Sequence, residues 1–187
     1  MFSIFKIFKK KKIVPHIRLS GIIGSVGRFK QGLNFSGQQE MIEKAFSIKK
    51  ALAVAVSINS PGGSPVQSHL IYSYIRKQAK KNKKKVLVFA EDVAASGGYL
   101  IACAGDEIYA NSSSIVGSIG VIYSSFGLQD LIKKAGIQRR IYTAGRNKST
   151  LDPFVEEKKE DIERLKSIQL DLHEDFINVV EESRGSK

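Results

Sequence analysis

The chain reads as an α/β protein built on a parallel sheet, and three observations predict it. ALAVAVSI (51–58) and KVLVFA (85–90) are continuous apolar runs of strand length, as a parallel sheet buried on both faces requires. Each run leads into a turn of small residues, NSPGG (59–63) and EDVAAS (91–96). Each turn is followed by a helical segment, so strands alternate with helices and imply right-handed βαβ crossovers.

The elements follow in order. IVPHIRLSGII (13–23) mixes β-branched residues with a glycine break and predicts a strand leading into the turn-rich GSVGRFKQGLNFSG. From Gln38 to Lys49, Met41, Ile42, Ala45, Phe46 and Ile48 share a helical face, with Ser36 as the expected cap. After NSPGG, Ser64 and Pro65 suit the N-cap and first helical position. Val66, Leu70, Ile71, Tyr74 and Ile75 then predict a helix ending near a lysine run. GGYLIACA opens another helix, DEIYA and GVIYSS read as short strands, and LQDLIKKAG as a short helix with Gly136 just past its end. QRRIYTA predicts a further strand. Pro153 to about Ser183 predicts one long amphipathic helix with Asp152 as its cap. Val155, Ile162, Leu165, Ile168, Leu172, Phe176, Val179 and Val180 form its apolar face. No repeat or low-complexity linker divides the 187 residues, a length that suits one domain.

The net charge of +12 is local. Residues 1–12 (MFSIFKIFKKKK) carry five lysines and residues 76–85 (RKQAKKNKKK) seven bases, neither with an acid, and these two runs account for the whole excess. That differs from the broad basic face of a nucleic-acid binder, and no nucleic-acid partner is expected. The second run reads as a solvated helix end. In the first, Phe2, Ile4, Phe5, Ile7 and Phe8 beside lysines suit a tail lying on an anionic membrane surface. It is too short to span a bilayer, which takes about 20 apolar residues, and its charge order is not that of an export signal. The expected location is cytoplasmic, or peripheral on the cytoplasmic face. A single cysteine, Cys103, excludes an internal disulfide and reads as a buried small hydrophobe.

Ser96 stands where a strand has ended and a helix begins, followed by Gly97 and Gly98. A hydroxyl there can attack a carbonyl while neighbouring backbone N–H groups hold the oxyanion. The NSPGG turn lies at the carboxyl end of its own strand, so the two turns line one crevice if the strands are parallel. His16, His69 and His173 stand beside neither turn, which gives a Ser-His-Asp triad little support. A lysine freed of its proton by burial is the other route to a base. Lys148, in TAGRNKSTLDPF, stands apart from the lysine clusters, but spacing alone does not select it.

INSPGG, ASGGY, IVGSIGVI and AGRNKSTLDPF occur in an order that resembles the signal peptide peptidase A family, from about Val14 to Lys187. The resemblance implies the Clp-protease/crotonase-like spiral of βαβ units with a long C-terminal helix. It implies Ser96 as nucleophile, Lys148 as general base, Ser118 as the residue orienting that lysine, and Gly63 with Gly97 as oxyanion donors. It also implies peptide hydrolysis without metal or cofactor, on cleaved signal peptides or other short hydrophobic segments. A ring or bowl-shaped homo-oligomer is implied too, and in short members of the family serine and lysine can come from neighbouring subunits. On this reading residues 1–12 are a tail and 13–187 the peptidase domain, C-terminally short and without the transmembrane anchor of many relatives. A catalytically silent membrane-associated scaffold and a crotonase-like acyl-CoA enzyme are the competing expectations.

Overall fold

The computed structural model describes residues 13–24, 32–145 and 147–185. The tail (1–12) and residues 25–31 of the turn-rich GSVGRFKQGLNFSG stretch lie outside them. Two compact units are present: residues 1–119 with 177–187, and residues 120–176.

The first unit holds a five-stranded parallel sheet. β1 (His16–Ser20) pairs with β2 (Ala53–Ser60), β2 with β3 (Lys85–Ala95), and β3 with both β4 (Glu107–Ala110) and β5 (Ile115–Gly117). α1 (Phe35–Ser47), α2 (Pro65–Asn82) and α3 (Gly97–Ala102) join the strands. The α/β class, the parallel sheet of βαβ units and the long C-terminal helix expected from the sequence are all present.

The core gathers alternate strand residues, Ile17, Leu19, Val54, Val56, Ile58, Val86 and Val88, with Ile42, Phe46, Ile71, Ile75 and Ile101 from the helices. The expectation of strands buried on both faces is corrected here. Alternation takes over, and Ala53, Ala55, Ser57 and Asn59 on the other face of β2 are half-buried. That face is polar and internally paired: His16 to Ser57 at 2.7 Å, Arg18 to Glu91 through two bonds, and Asn59 to Asp92 at 2.9 Å. Phe89 and Tyr109 stack beside them. Arg18, by hydrogen bond and charge, holds the Glu91 carboxyl below its ordinary range.

Several boundaries move for identifiable reasons. α1 starts before Gln38 because Asn34, not Ser36, is its cap. The Asn34 Oδ1 accepts from Gly37 N–H at 2.9 Å, and Ser36 donates to the same oxygen. EDVAAS is not a turn: β3 runs on to Ala95, because its outer edge passes from β4 at Leu87–Ala90 to β5 at Val93–Ala95. Ser64 and Pro65 open α2 as expected, but Val66 and Leu70 face outward and Ser68 and Gln78 are buried instead.

The second unit contains α4 (Gln129–Lys134) and the first part of α5 (Lys159–Arg184). Gly136 closes α4 as expected. Its φ is +69°, and Gly136 N–H donates to Lys133 O and Ile137 N–H to Ile132 O, the paired bonds of a Schellman ending. GVIYSS and QRRIYTA are not strands: they lack ladder partners among the described residues, and Ile122 and Tyr142 are 87% and 91% exposed. β-propensity expresses itself only where a neighbouring strand is present. α5 begins after Pro153, and Asp152 does not cap it. The Asp152 carboxylate accepts from Phe154 N–H and pairs with Arg139. Of the expected apolar face, Phe176 and Val179 are buried, whereas Ile168 is half exposed.

Candidate active site

β3 delivers Ser96 to the carboxyl edge of the sheet. Ser96 has φ +50° and ψ −123°, a conformation costly for any residue but glycine, of the order of 1–3 kcal/mol. Its backbone is pinned on both sides: the N–H donates to Gly117 O at 2.8 Å, and the C=O accepts from Leu100 N–H at 3.0 Å. Although it occupies the cap position of α3, its hydroxyl makes no capping bond. The strained backbone thus presents a half-buried Oγ that makes no hydrogen bond among the described residues.

The NSPGG turn lies directly against it. A Cβ placed on Gly62 would sit 2.8 Å from both Ser96 Cβ and Gly97 N. The expectation that the two glycine turns share one edge is therefore met by contact. Gly63 has φ +144°, and a Cβ there would fall 2.1 Å from Ile23 O, so only glycine fits. In the parallel bridge between Ile23 and Gly63, Gly62 O accepts from Ile23 N–H and Ser64 N–H donates to Ile23 O, both at 2.8 Å. The two flanking residues supply those bonds, so the bridge leaves Gly63 N–H unspent. Gly97 N–H opens α3, where helical geometry provides no acceptor.

Two buried hydroxyls shape this contact, and the sequence reading passed over both. Ser60, fully buried, accepts from Gly62 N–H at 3.1 Å, and its carbonyl would lie 2.6 Å from a Cβ on Gly98. Ser68, also fully buried, donates to Ser64 O and would meet a Cβ on Gly97 at 2.2 Å. The available signal was a serine inside the otherwise apolar face of α2. On α3, burial raises the Tyr99 hydroxyl above its ordinary range.

Ser118 follows β5 as Ser96 follows β3. The last pair of their ladder is Ala95 with Gly117, and Ser118 too has positive φ, +56°. It is exposed. The structure thus brings Gly63, Ser96, Gly97 and Ser118 into one unit, whereas Lys148 belongs to the other. Lys148 is exposed, in a turn where Thr150 donates to Asn147 O and Leu151 takes φ +57°. Among the described residues no group of three or more His, Cys, Asp and Glu side chains could hold a metal ion.

A parallel βαβ sheet with two glycine turns meeting at the carboxyl ends of its strands defines an α/β protein of the kind whose ligand crevices lie at that edge. The sequence pattern of peptidase family S49 matches residues 78–187, and the chain belongs to that family. It is 37% identical over 143 residues to the putative protease MJ0651 of Methanocaldococcus jannaschii, covering 76% of this chain and 44% of that protein. To a putative signal peptide peptidase SppA of Enterococcus faecium it is 28% identical over 181 residues, 94% of this chain and 52% of that one. A protein of Brucella melitensis named Na(+)/H(+) antiporter NhaA is 58% identical over 93% of this chain, which corresponds to 24% of that protein. No helix among the described residues is long and apolar enough to cross a membrane. The chain spans a quarter to about half the length of these relatives.

Proposed function

We propose that the chain is a serine peptidase in which Ser96 is the nucleophile and Lys148 the general base. The observation that carries this is the strained, hydrogen-bond-pinned backbone of Ser96, which holds an unspent hydroxyl against the Gly62–Gly63 turn. In the proposed reaction neutral Lys148 takes the Ser96 proton as Oγ attacks the scissile carbonyl carbon. The carbonyl electron pair moves to oxygen, where Gly63 and Gly97 N–H groups receive it. Collapse breaks the C–N bond, and the leaving amine takes the proton from Lys148. Water then gives its proton to Lys148, attacks the acyl-serine ester and releases the acid, returning the proton to Ser96 Oγ. Ser118 Oγ positions the lysine by hydrogen bond.

A lysine acts as a base only when its surroundings disfavour charge, and Lys148 is exposed in the isolated chain. We therefore place dyad formation in a homo-oligomer, where a neighbouring copy shields or supplies the lysine. The exposed Ile122, Phe126 and Tyr142 support such an assembly. Substrates are peptides, with cleaved signal peptides and short hydrophobic segments first; the name of the Enterococcus relative supports that class. Residues 1–12 contact the anionic cytoplasmic face of a membrane.

The test is intact-mass labelling with a fluorophosphonate at pH 6 to 10. Wild type should label once, and Ser96→Ala and Lys148→Met should abolish labelling without unfolding. An oligomeric, folded wild type that never labels would sink the proposal in favour of a silent scaffold. Labelling that survives Ser96→Ala would place the nucleophile elsewhere.

A further inference from the structure

The second basic run does more than cap a helix. Arg76, Lys77, Lys80, Lys83, Lys84 and Lys85 line one open cleft of about 850 Å³, with Asp106 the acid in its wall. Three of the six are committed. Arg76 binds Ala104 O and Asp106, Lys84 Nζ binds Phe46 O and Ile48 O, and Lys85 pairs with Glu107. Lys77, Lys80 and Lys83 are exposed, as is adjacent Lys81, and none enters an ion pair among the described residues. One or two cations in the last turn suffice to oppose a helix dipole; the remainder form a surface that attracts anions.

Its position decides which anion. β1 and β3 begin at the same edge of the sheet: Ala55 N–H donates to Pro15 O and Lys85 N–H to Leu52 O. The described chain therefore enters β1 at the same edge as the start of β3 that carries Lys85, with β2 between them, and α2 ends there too. Ser96 lies at the opposite edge. β3 is 11 residues long, about 35 Å at ~3.3 Å per residue. One edge thus carries the end of the second acid-free basic run and the point, Ile13, to which residues 1–12 are covalently joined, and the other holds Ser96.

We infer that the Lys77–Lys80–Lys83 cleft is a second docking surface for an anionic lipid bilayer, seating the amino edge of the sheet on the headgroups with Ser96 facing away. The inference rests on the membrane contact proposed for residues 1–12, and its test separates the two. Each basic residue near an anionic leaflet strengthens binding about fivefold, so three together contribute on the order of a hundredfold. Ser68 of α2 lies against Gly97, and Lys77, the nearest of the three lysines, follows it by nine residues, about 14 Å of helix at ~1.5 Å per residue. With a Debye length of about 8 Å at physiological salt, these exposed charges are screened from Ser96 and leave hydrolysis of a soluble substrate largely unchanged.

The experiment is co-sedimentation of the full chain with vesicles of phosphatidylcholine, with or without about one third phosphatidylglycerol. Wild type is compared with Lys77→Gln/Lys80→Gln/Lys83→Gln and with the tail variant Lys9→Gln/Lys10→Gln/Lys11→Gln. A second cleft variant, Lys77→Gln/Lys81→Gln, leaves the left-handed Lys83 in place and guards against a folding defect. The expected result is salt-sensitive wild-type binding to anionic vesicles only, weakened at least tenfold in either folded cleft variant with fluorophosphonate labelling retained. Cleft variants that bind within threefold of wild type while the tail variant fails would overturn the cleft and leave the tail contact standing. Absence of wild-type binding would overturn both. Tighter binding to duplex DNA than to vesicles at equal salt, lost in the cleft variants, would overturn the membrane in favour of nucleic acid.

Discussion

Gly62→Ala tests the contact between the two turns most directly. Gly62 has φ +99°, a backbone region that costs an L-residue about 1–3 kcal/mol. The new Cβ would lie 2.8 Å from Ser96 Cβ and from Gly97 N, and 3.0 Å from Ala95 O. Carbon atoms settle near 3.5–4.0 Å, so the Ser96 turn must retreat by roughly 1 Å. Overpacking of this kind costs about 1–3 kcal/mol, for a sum of about 2–6 kcal/mol. A displacement of roughly 1 Å at a reacting atom slows chemistry by about a hundredfold. Urea unfolding reads the first quantity and the second-order rate of fluorophosphonate labelling the second. The stability cost should be the same in a Ser96→Ala background, which keeps the Cβ, and about 1 kcal/mol smaller with Ser96→Gly, which removes it. A Gly62→Ala protein within about 0.5 kcal/mol of wild type, labelling at the wild-type rate, would refute the packing argument.

Other outcomes follow from single contacts. Asn34→Ala removes the α1 cap and should lower unfolding stability by about 1 kcal/mol; denaturant titration measures it. Cys103 is buried, and burial raises its thiol above the ordinary 9.0, so it should resist alkylation in the native protein and react fully in urea. A raised thiol contributes stability that is complete below pH 9.0 and is lost as pH climbs toward the folded value; Cys103→Ala should flatten that alkaline limb. Phe154 N–H, then Arg139, hold the Asp152 carboxyl below its ordinary 3.8. Its contribution is present above that value and is lost as pH falls through the lower folded one, so Asp152→Asn should flatten the acid limb of stability against pH.

What could be read in advance divides along physical lines. Strands and helices of the first unit were legible because each buries an apolar face on the shared core, and pattern records burial. Ser64–Pro65 and Gly136 were legible because caps are local chemistry. The extension of β3 to Ala95 was not, since the partners that Glu91 and Asp92 find in the strand, Arg18 and Asn59, sit on other strands. GVIYSS and QRRIYTA misled because composition records a preference for pairing and not the presence of a partner. Ser96 and its glycines stood out as a turn motif, whereas Ser60 and Ser68 act through burial. Lys148 was selected by resemblance, because spacing and composition around it carry no local signal that would single out one lysine as a base.

The bond from Ser96 N–H to Gly117 O has a thermodynamic corollary. The strand that steadies the hydroxyl ends one residue before Ser118, so any body that grips Ser118 biases the geometry of Ser96 through a single covalent step. Coupling free energies are reciprocal. If gripping Ser118 makes Ser96 more reactive, occupying Ser96 with an acyl group tightens the grip on Ser118 by the same factor. Substrate would then act as its own effector, recruiting the machinery that consumes it.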